Sequence, residues 1–498
     1  MPKARICATV TASTTSGLRA RRDHQPGADL VELRLDSLAR PDVAGALADR
    51  RKPVVVTCRP SWEGGEFTGS EDERRRLLLE ACALGAEYVD VEGRAAFADD
   101  VIATRSGRGV VLSFHAFDGV PADLEDRYRA MRASGAEVVK VAVTVDSLRD
   151  SLRVAALGAG EEPRVLIGMG TSGVASRVLA GRLGSCWTYA GDGVAPGQID
   201  LERMREQFGV HRVSEKTAVY GVLGAPVGHS ISPAMHNAGF HAAGIDAVYL
   251  PLEAADIEDF ADFTRAVHLR GASVTAPFKE AAAARVTVCD AIGRAVGAVN
   301  TLRVEDGEWH GINTDVPGFL EPLAKRMALS GVRASILGAG GSARAVALAL
   351  RQQHADVTVC ARRPERAASV ARTIGAAAAP LPPRSGSWDL LVNTTPVGTF
   401  PDVGRSPLPD GPFDGRLVYD LVYNPGTTRL MADAARAGCE TIGGLDMLVA
   451  QAERQFAWWT GRTPSADLFR VAAEADLERQ ARDSAPGSAR ANLAGGAA

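Results

Sequence analysis

Long apolar runs are missing from this chain, and none reaches the roughly 18 residues that a membrane span needs. The start, MPKARICATV, has two basic residues but no apolar stretch long enough for a signal peptide. The expectation is a cytoplasmic protein without a membrane partner. An excess of one charge is missing too: 56 Lys and Arg against 60 Asp and Glu leave a net charge of −4. That balance argues against nucleic acid as a partner, because nucleic-acid-binding domains carry a basic excess. It also excludes a chain held open by its own charge. Cysteine is scarce and scattered, at Cys7, Cys58, Cys82, Cys186, Cys289, Cys360 and Cys439. With an odd count and no CxxC pair, neither a disulfide framework nor a zinc site is expected, and no metal is assigned. Aromatic residues are few, at 5%, whereas glycine is abundant, at 52. That combination suits α/β architecture with many tight strand-to-helix turns. The length, 498 residues, corresponds to about three domains.

Eight short apolar runs pace the first ~210 residues. They are RICATV from Arg5, ADLVELRL from Ala28, PVVVTCR from Pro53, EYVDVE from Glu87, GVVLSFH from Gly109, EVVKVAV from Glu137, RVLIGMG from Arg164 and SCWTYA from Ser185. They are rich in Val, Leu and Ile with little polar alternation, as expected of parallel strands buried on both faces. Stretches of helical spacing separate most of them, such as SEDERRRLLLEACALGA from Ser70. Eight β/α units predict a (β/α)8 barrel, with an open doubly wound sheet as the alternative.

Polar residues sit at or near the ends of these runs: Glu32, Arg34, Arg59, His115 and Lys140, with Glu63 just beyond the third. Strand ends build the active site of a barrel. Lys140 stands between Val139 and Val141 in a predicted central strand. Burial lowers the pKa of a lysine and makes its amine a nucleophile. The plainer alternative is a strand-end lysine that reaches solvent or pairs with Glu137. His115 is a general acid/base candidate if it shares a pocket with that amine.

These pieces resemble type I 3-dehydroquinate dehydratase over residues 1 to about 210. The matching segments are ELRLD (Glu32–Asp36), TCRPSWEGGE (Thr57–Glu66), SFHAF (Ser113–Phe117), VVKVAV (Val138–Val143), Ser176–Arg177 and APGQ (Ala195–Gln198). The resemblance implies that Lys140 forms a Schiff base with a ketone and that His115 is general base and acid. It implies that Glu63 orients His115 and that Arg177 binds the substrate carboxylate. Gln198, Glu32, Arg34 and Arg59 would hold ring hydroxyls and set the pocket charge. Two positions depart from the family pattern: Ala116 replaces a common acidic residue, and Val194 a common serine.

After the short polar join HRVSEKT (His211–Thr217), a strand runs into GHSISPAMHN. Ser232-Pro233 opens a helix there, with Ser230 beside it. GASVTAPFKE places Thr275 and Lys279 after a strand, and AVNT and NTD place Asn300 and Asp315 in small-residue loops. A further strand leads into Gly338-Ala339-Gly340-Gly341-Ser342-Ala343 and an Ala/Leu helix, a dinucleotide-binding fingerprint. About 20 residues on, where an acid would hold the ribose of NAD, stand Arg362 and Arg363, which suit the 2′-phosphate of NADP.

This half resembles shikimate dehydrogenase over about residues 217 to 478, through those segments and NTTPVG, YDLVYNP and GGLDMLVAQ. The resemblance implies that Lys279 and Asp315 are the catalytic pair. Ser230, Ser232, Thr275, Asn300 and Gln451 would contact the substrate, and Tyr423 would lie near substrate and nicotinamide. Thr395 and Gly444 join the glycine turn and the two arginines as cofactor contacts. Ser273 and Ala361 depart from a common Asn at each position.

The expected organisation is a dehydratase barrel at 1–212, a substrate-binding α/β domain at 217–325 completed by 442–478, a Rossmann-like NADP domain at 326–441, and a disordered tail at 485–498. A bifunctional enzyme follows, which dehydrates 3-dehydroquinate and reduces the resulting 3-dehydroshikimate to shikimate, as a monomer or homodimer. One alternative makes the second half a quinate dehydrogenase. Another, a regulatory protein on borrowed folds, predicts lost catalytic residues, yet Lys140, His115, Lys279 and Asp315 are all present.

Overall fold

The computed structural model describes residues 4–158, 160, 162–191 and 197–483. The tail expected to be disordered and Val194 lie outside the described residues. The chain forms two compact units. One holds the residues up to Pro233 together with Asp246–Leu269, and the other holds Ala234–Ile245 with Arg270–Arg482.

The eight apolar runs are eight strands: β1 (Arg5–Val10), β2 (Leu30–Arg34), β3 (Val54–Thr57), β4 (Tyr88–Glu92), β5 (Val110–Ala116), β6 (Val138–Thr144), β7 (Arg164–Met169) and β8 (Trp187–Ala190). All neighbours are parallel, in the order β7-β6-β5-β4-β3-β2-β1-β8. The last seam is thin: between β7 and β8 the Cys186 N–H donates to the Arg164 carbonyl at 2.8 Å, and the Leu166 N–H to Ser185 Oγ at 3.0 Å. The result is the barrel rather than the open sheet. Strand alternation explains the double burial. Val139 and Val141 pack outward in a cluster with Leu77, Val101 and Val154 of the helical layer. Val138 and Ala142 point inward with Cys7, Leu30, Val55 and Ile167, and Lys140 shares their face.

The join at 211–217 is pinned. Thr217 is buried, and Arg182 donates to its carbonyl at 2.8 Å and to that of Val267 at 2.7 Å. Beyond it, β9 (Ala218–Gly224) and β10 (Ala247–Glu253) pair in parallel, followed by the helix Ile257–Val267. Asp259 of that helix is fully buried. Its carboxylate accepts from the Leu148 and Arg149 N–H groups at 3.0 and 2.8 Å, at the start of the helix that follows β6. A negative charge is favoured at a helix N-terminus.

In the second unit, β11 (Gly271–Val274), β12 (Val288–Cys289), β13 (Thr301–Glu305) and β14 (Glu308–Ile312) form a mixed array. The strands β15 (Arg333–Leu337), β16 (Asp356–Ala361), β17 (Ala377–Pro380), β18 (Leu390–Asn393), β19 (Leu417–Asp420) and β20 (Glu440–Ile442) form a parallel sheet in the order β17-β16-β15-β18-β19-β20. That is the Rossmann order, with its switch point between β15 and β18.

Candidate active sites

A cavity lies at the C-terminal ends of the barrel strands. Its lining includes Glu32, Arg34, Arg59, Glu63, His115, Lys140, Arg177 and Gln198. All eight residues expected from the sequence therefore meet in one place. Lys140 is 4% exposed. Its Nζ lies 3.1 Å from Asp90 Oδ2 and 3.4 Å from Glu32 Oε1, and 4.2 Å from the centre of the Tyr189 ring. Glu137, the partner considered from sequence, instead accepts from the Gly109 N–H. Lys140 is thus buried, and it is also paired.

Glu63 closes a short turn, Ser61–Glu63, after β3. Its Oε1 accepts from the His115 N–H at 2.9 Å and faces His115 Nδ1 at 3.0 Å. Its Oε2 is buried with no hydrogen-bond partner among the described residues. Burial pushes the Glu63 carboxyl up to about 7, with Arg59 opposing the rise. His115 is shifted well below the usual imidazole range, first by burial and then by the positive Arg59 and Lys140. The imidazole is thus held in its neutral form, with a nitrogen able to accept a proton. Burial alone lowers the Arg177 guanidinium to about 10. Arg34 is held by Asp36 through bonds of 2.9 and 2.6 Å. Gln198 Nε2 is 3.5 Å from Thr9 Oγ1.

Sequence reasoning missed the charged layer beneath this cavity. Arg59 donates to Asp90 at 2.9 Å, to Glu92 at 2.6 Å and to Ser113 at 2.8 Å. Arg74, fully buried on the helix Glu71–Ala83, pairs with Glu92 and sits over the Trp62 ring. Burial opposes the charge on Arg59, but Asp90 and Glu92 outweigh it and raise its pKa. The signal was in EYVDVE, where two carboxylates alternate in a buried strand.

In the second unit, Lys279 begins the helix Lys279–Arg285 and Asp315 begins Asp315–Ala324. Lys279 Nζ donates to Asp315 Oδ2 at 2.6 Å. Asn300 donates to Asp315 Oδ1 at 2.8 Å and to Gln451 Oε1 at 3.4 Å, joining three expected residues to Lys279. Thr275 lies in the turn after β11. Ser273, where an Asn was common, donates to Gln455 Oε1 at 2.7 Å, a buried pairing that accommodates the departure. Ser230 and Ser232 belong to the first unit, where Ser230 Oγ accepts from the Ser232 N–H at 3.3 Å as the helix Ser232–Ala242 begins.

The cofactor residues suit a dinucleotide. Gly338 has φ +115°, a conformation that glycine tolerates. Space is open where a side chain on Gly340 or Gly341 would lie, and the helix Gly341–Gln352 starts with no side-chain cap. Ala339 and Ser342 flank these glycines, and Ala343 is buried under the turn. Uncapped N–H groups at the start of a helix suit an anion. Arg362 and Arg363 are exposed just after β16. Thr395 donates to Asn393 at the end of β18, and Asn393 to buried Asp420. Gly444 fits a different need: a Cβ there would lie 2.3 Å from the Leu421 carbonyl. Tyr423 lies in the loop after β19, and burial raises its pKa.

The Arabidopsis thaliana protein "Bifunctional 3-dehydroquinate dehydratase/shikimate dehydrogenase, chloroplastic" is 32% identical over 93% of this chain and 83% of its own length. The chain belongs to the bifunctional 3-dehydroquinate dehydratase/shikimate dehydrogenases. The two halves of that family are matched separately. The type I 3-dehydroquinase family model covers residues 6–215, the shikimate dehydrogenase substrate-binding domain 222–302, and the shikimate 5′-dehydrogenase C-terminal domain 444–474. A shikimate dehydrogenase (NADP(+)) of Moorella thermoacetica is 43% identical over 53% of this chain and 95% of its own. A crystal structure of a shikimate dehydrogenase in complex with NADP+ is 31% identical, covers 53% of this chain and 97% of its own, and has a TM-score of 0.50.

Proposed function

We propose that each of the two activities rests on one lysine, Lys140 for the dehydration and Lys279 for the reduction. The protein is a bifunctional enzyme of the shikimate pathway: it dehydrates 3-dehydroquinate and reduces 3-dehydroshikimate with NADPH. The proposed modules are 1–212, 217–325 with 442–478, and 326–441. The observation that carries the assignment is Lys140, buried in the cavity that also holds the His115–Glu63 pair.

In the barrel, Lys140 Nζ adds to the substrate ketone carbon, and loss of water leaves an iminium. The positive charge of the iminium forms where Asp90 and Glu32 face Nζ, which stabilises it. The iminium acidifies the adjacent C–H. His115 takes that proton and returns it to the departing hydroxyl, which leaves as water. Hydrolysis of the iminium frees Lys140. Arg177 binds the substrate carboxylate, and Arg34, Arg59, Glu32 and Gln198 orient the ring.

In the second half, NADPH supplies a hydride when bound. The Gly338–Ala343 turn and the helix N-terminus would hold its pyrophosphate, and Arg362 and Arg363 its 2′-phosphate. Lys279, hydrogen-bonded to Asp315, delivers a proton to the oxygen on which charge develops. Asn300 fixes Asp315 for that task.

The test is to supply 3-dehydroquinate with NADPH and follow products by NMR. The intact protein yields shikimate. Lys140→Met is expected to leave 3-dehydroquinate untouched, and Lys279→Met to stop at 3-dehydroshikimate. Shikimate formed by either variant would refute the corresponding assignment.

A further inference from the structure

One carboxylate ties a loop of the dehydratase barrel to a loop of the dehydrogenase half. Glu253 ends β10, and its Oε1 accepts from Thr171 Oγ1 at 2.8 Å. Its Oε2 accepts from the Val227 N–H at 3.1 Å, and its own carbonyl accepts from Ser172 Oγ at 3.0 Å. Thr171 and Ser172 form the turn between β7 and the helix Val174–Val178, which carries Arg177. Val227 lies in the turn after β9, three residues before Ser230.

The Thr171 turn is tightly placed, and the Val227 turn lies in ordinary contact with it. A Cβ on Gly173 would lie 2.2 Å from the Gly168 carbonyl, so the chain after Thr171 folds back flush on β7. A Cβ on Gly197, next to Gln198, would lie 2.4 Å from the Gly170 carbonyl, so the Gln198 segment rests on the same turn. A Cβ on Gly228 would come within 3.9 Å of the Thr171 methyl. Whatever moves the Thr171 turn therefore bears on the Val227 turn through a group that can accept from both. Arg177 and Gln198 are substrate contacts in the reading above, on which this step rests.

We propose that Glu253 is a positioning residue that couples the two substrate sites: filling the barrel cavity resets the loop that carries Ser230 and so changes how tightly the dehydrogenase holds shikimate. The coupling is an equilibrium property and therefore reciprocal. The hydrogen bonds of Glu253 belong to no chemical step, so the effect falls on substrate binding and leaves turnover in place.

The experiment locks the barrel in its filled state. The full-length protein is incubated with 3-dehydroquinate and borohydride, which reduces the imine on Lys140 to a stable secondary amine, and mass spectrometry verifies one adduct. Shikimate oxidation by NADP+ is then compared between locked and unlocked protein. The expected result is a shift in the KM for shikimate of about fivefold, the lower end of usual coupling, with kcat held. In Glu253→Ala and in Thr171→Val the shift disappears. An unchanged KM in the locked wild-type protein, or a shift that survives either substitution, overturns the coupling. Failure to form the adduct, or absence of shikimate oxidation, would instead count against the site assignments.

Discussion

At the scale of single residues, the pair Glu63–His115 sets a pH dependence whose sign can be worked out. The Glu63 carboxyl sits at about 7, above its usual value of 4.5. The native state therefore binds a proton that the unfolded chain has lost. The stability linked to this group is present below pH 4.5 and is lost as pH rises through about 7. Glu63→Gln keeps an acceptor for the His115 N–H without the charge. It is expected to be more stable than wild type at pH 8, by roughly 3 kcal/mol at most, and near the wild-type value at pH 4. Its dehydratase rate should fall, and the limb of the pH–rate profile near 7 should vanish. Thermal melts at both pH values and a pH–rate series check this. The dehydrogenase pair allows a similar test. Asp315→Asn retains a partner for Lys279 but loses the charge, and kcat for shikimate oxidation should drop roughly 10²–10⁴-fold. For the cofactor, replacing Arg362 and Arg363 with Ala should raise the KM for NADPH at least about tenfold, through loss of charge-assisted bonds, and leave the KM for NADH within about twofold.

At the scale of elements, close backbone approaches make sharper predictions than propensities do. A methyl on Gly444 meets the Leu421 carbonyl at 2.3 Å, and backbone cannot swing aside as a side chain can. Gly444→Ala is expected to cost about 1–3 kcal/mol, measurable by urea denaturation. The helix Ser232–Ala242 carries a second marker. His236 lies among Phe456, Trp459 and Phe469, and burial lowers its pKa to about 3. Its contribution to stability is complete above pH 6.5 and declines as pH falls toward 3, so His236→Phe should flatten the acid limb of stability. The strands that carry these sites were legible in the sequence, because a parallel strand buried on both faces writes a continuous apolar run. The Gly338–Ala343 turn was legible for the same local reason. The layer of Arg59, Asp90, Glu92 and Arg74 was not, since it is drawn from two neighbouring strands and a helix at no fixed spacing. Arg74 sits in a helix of ordinary charged composition, and only the folded chain reveals that it is buried. The thin β7–β8 seam was equally silent, because strand register leaves no mark in the apolar pattern.

At the scale of the whole molecule, two lysines with separate carboxylate partners predict independent loss of function. Lys140→Met should abolish dehydration and leave kcat for shikimate oxidation within about twofold of wild type, since substitutions that share no partner add without coupling. The join at 211–217 looks in sequence like a place to divide the chain. Its packing and the Asp259 carboxylate say otherwise. A barrel severed at residue 216 would keep every group of its own cavity, yet the helix after the Lys140 strand would lose the anion at its head. Two backbone N–H groups that evolution placed against a buried acid would then face water. The fusion is therefore more than a tether: a carboxylate from beyond the join completes the first turn of a barrel helix that Ser147 already caps.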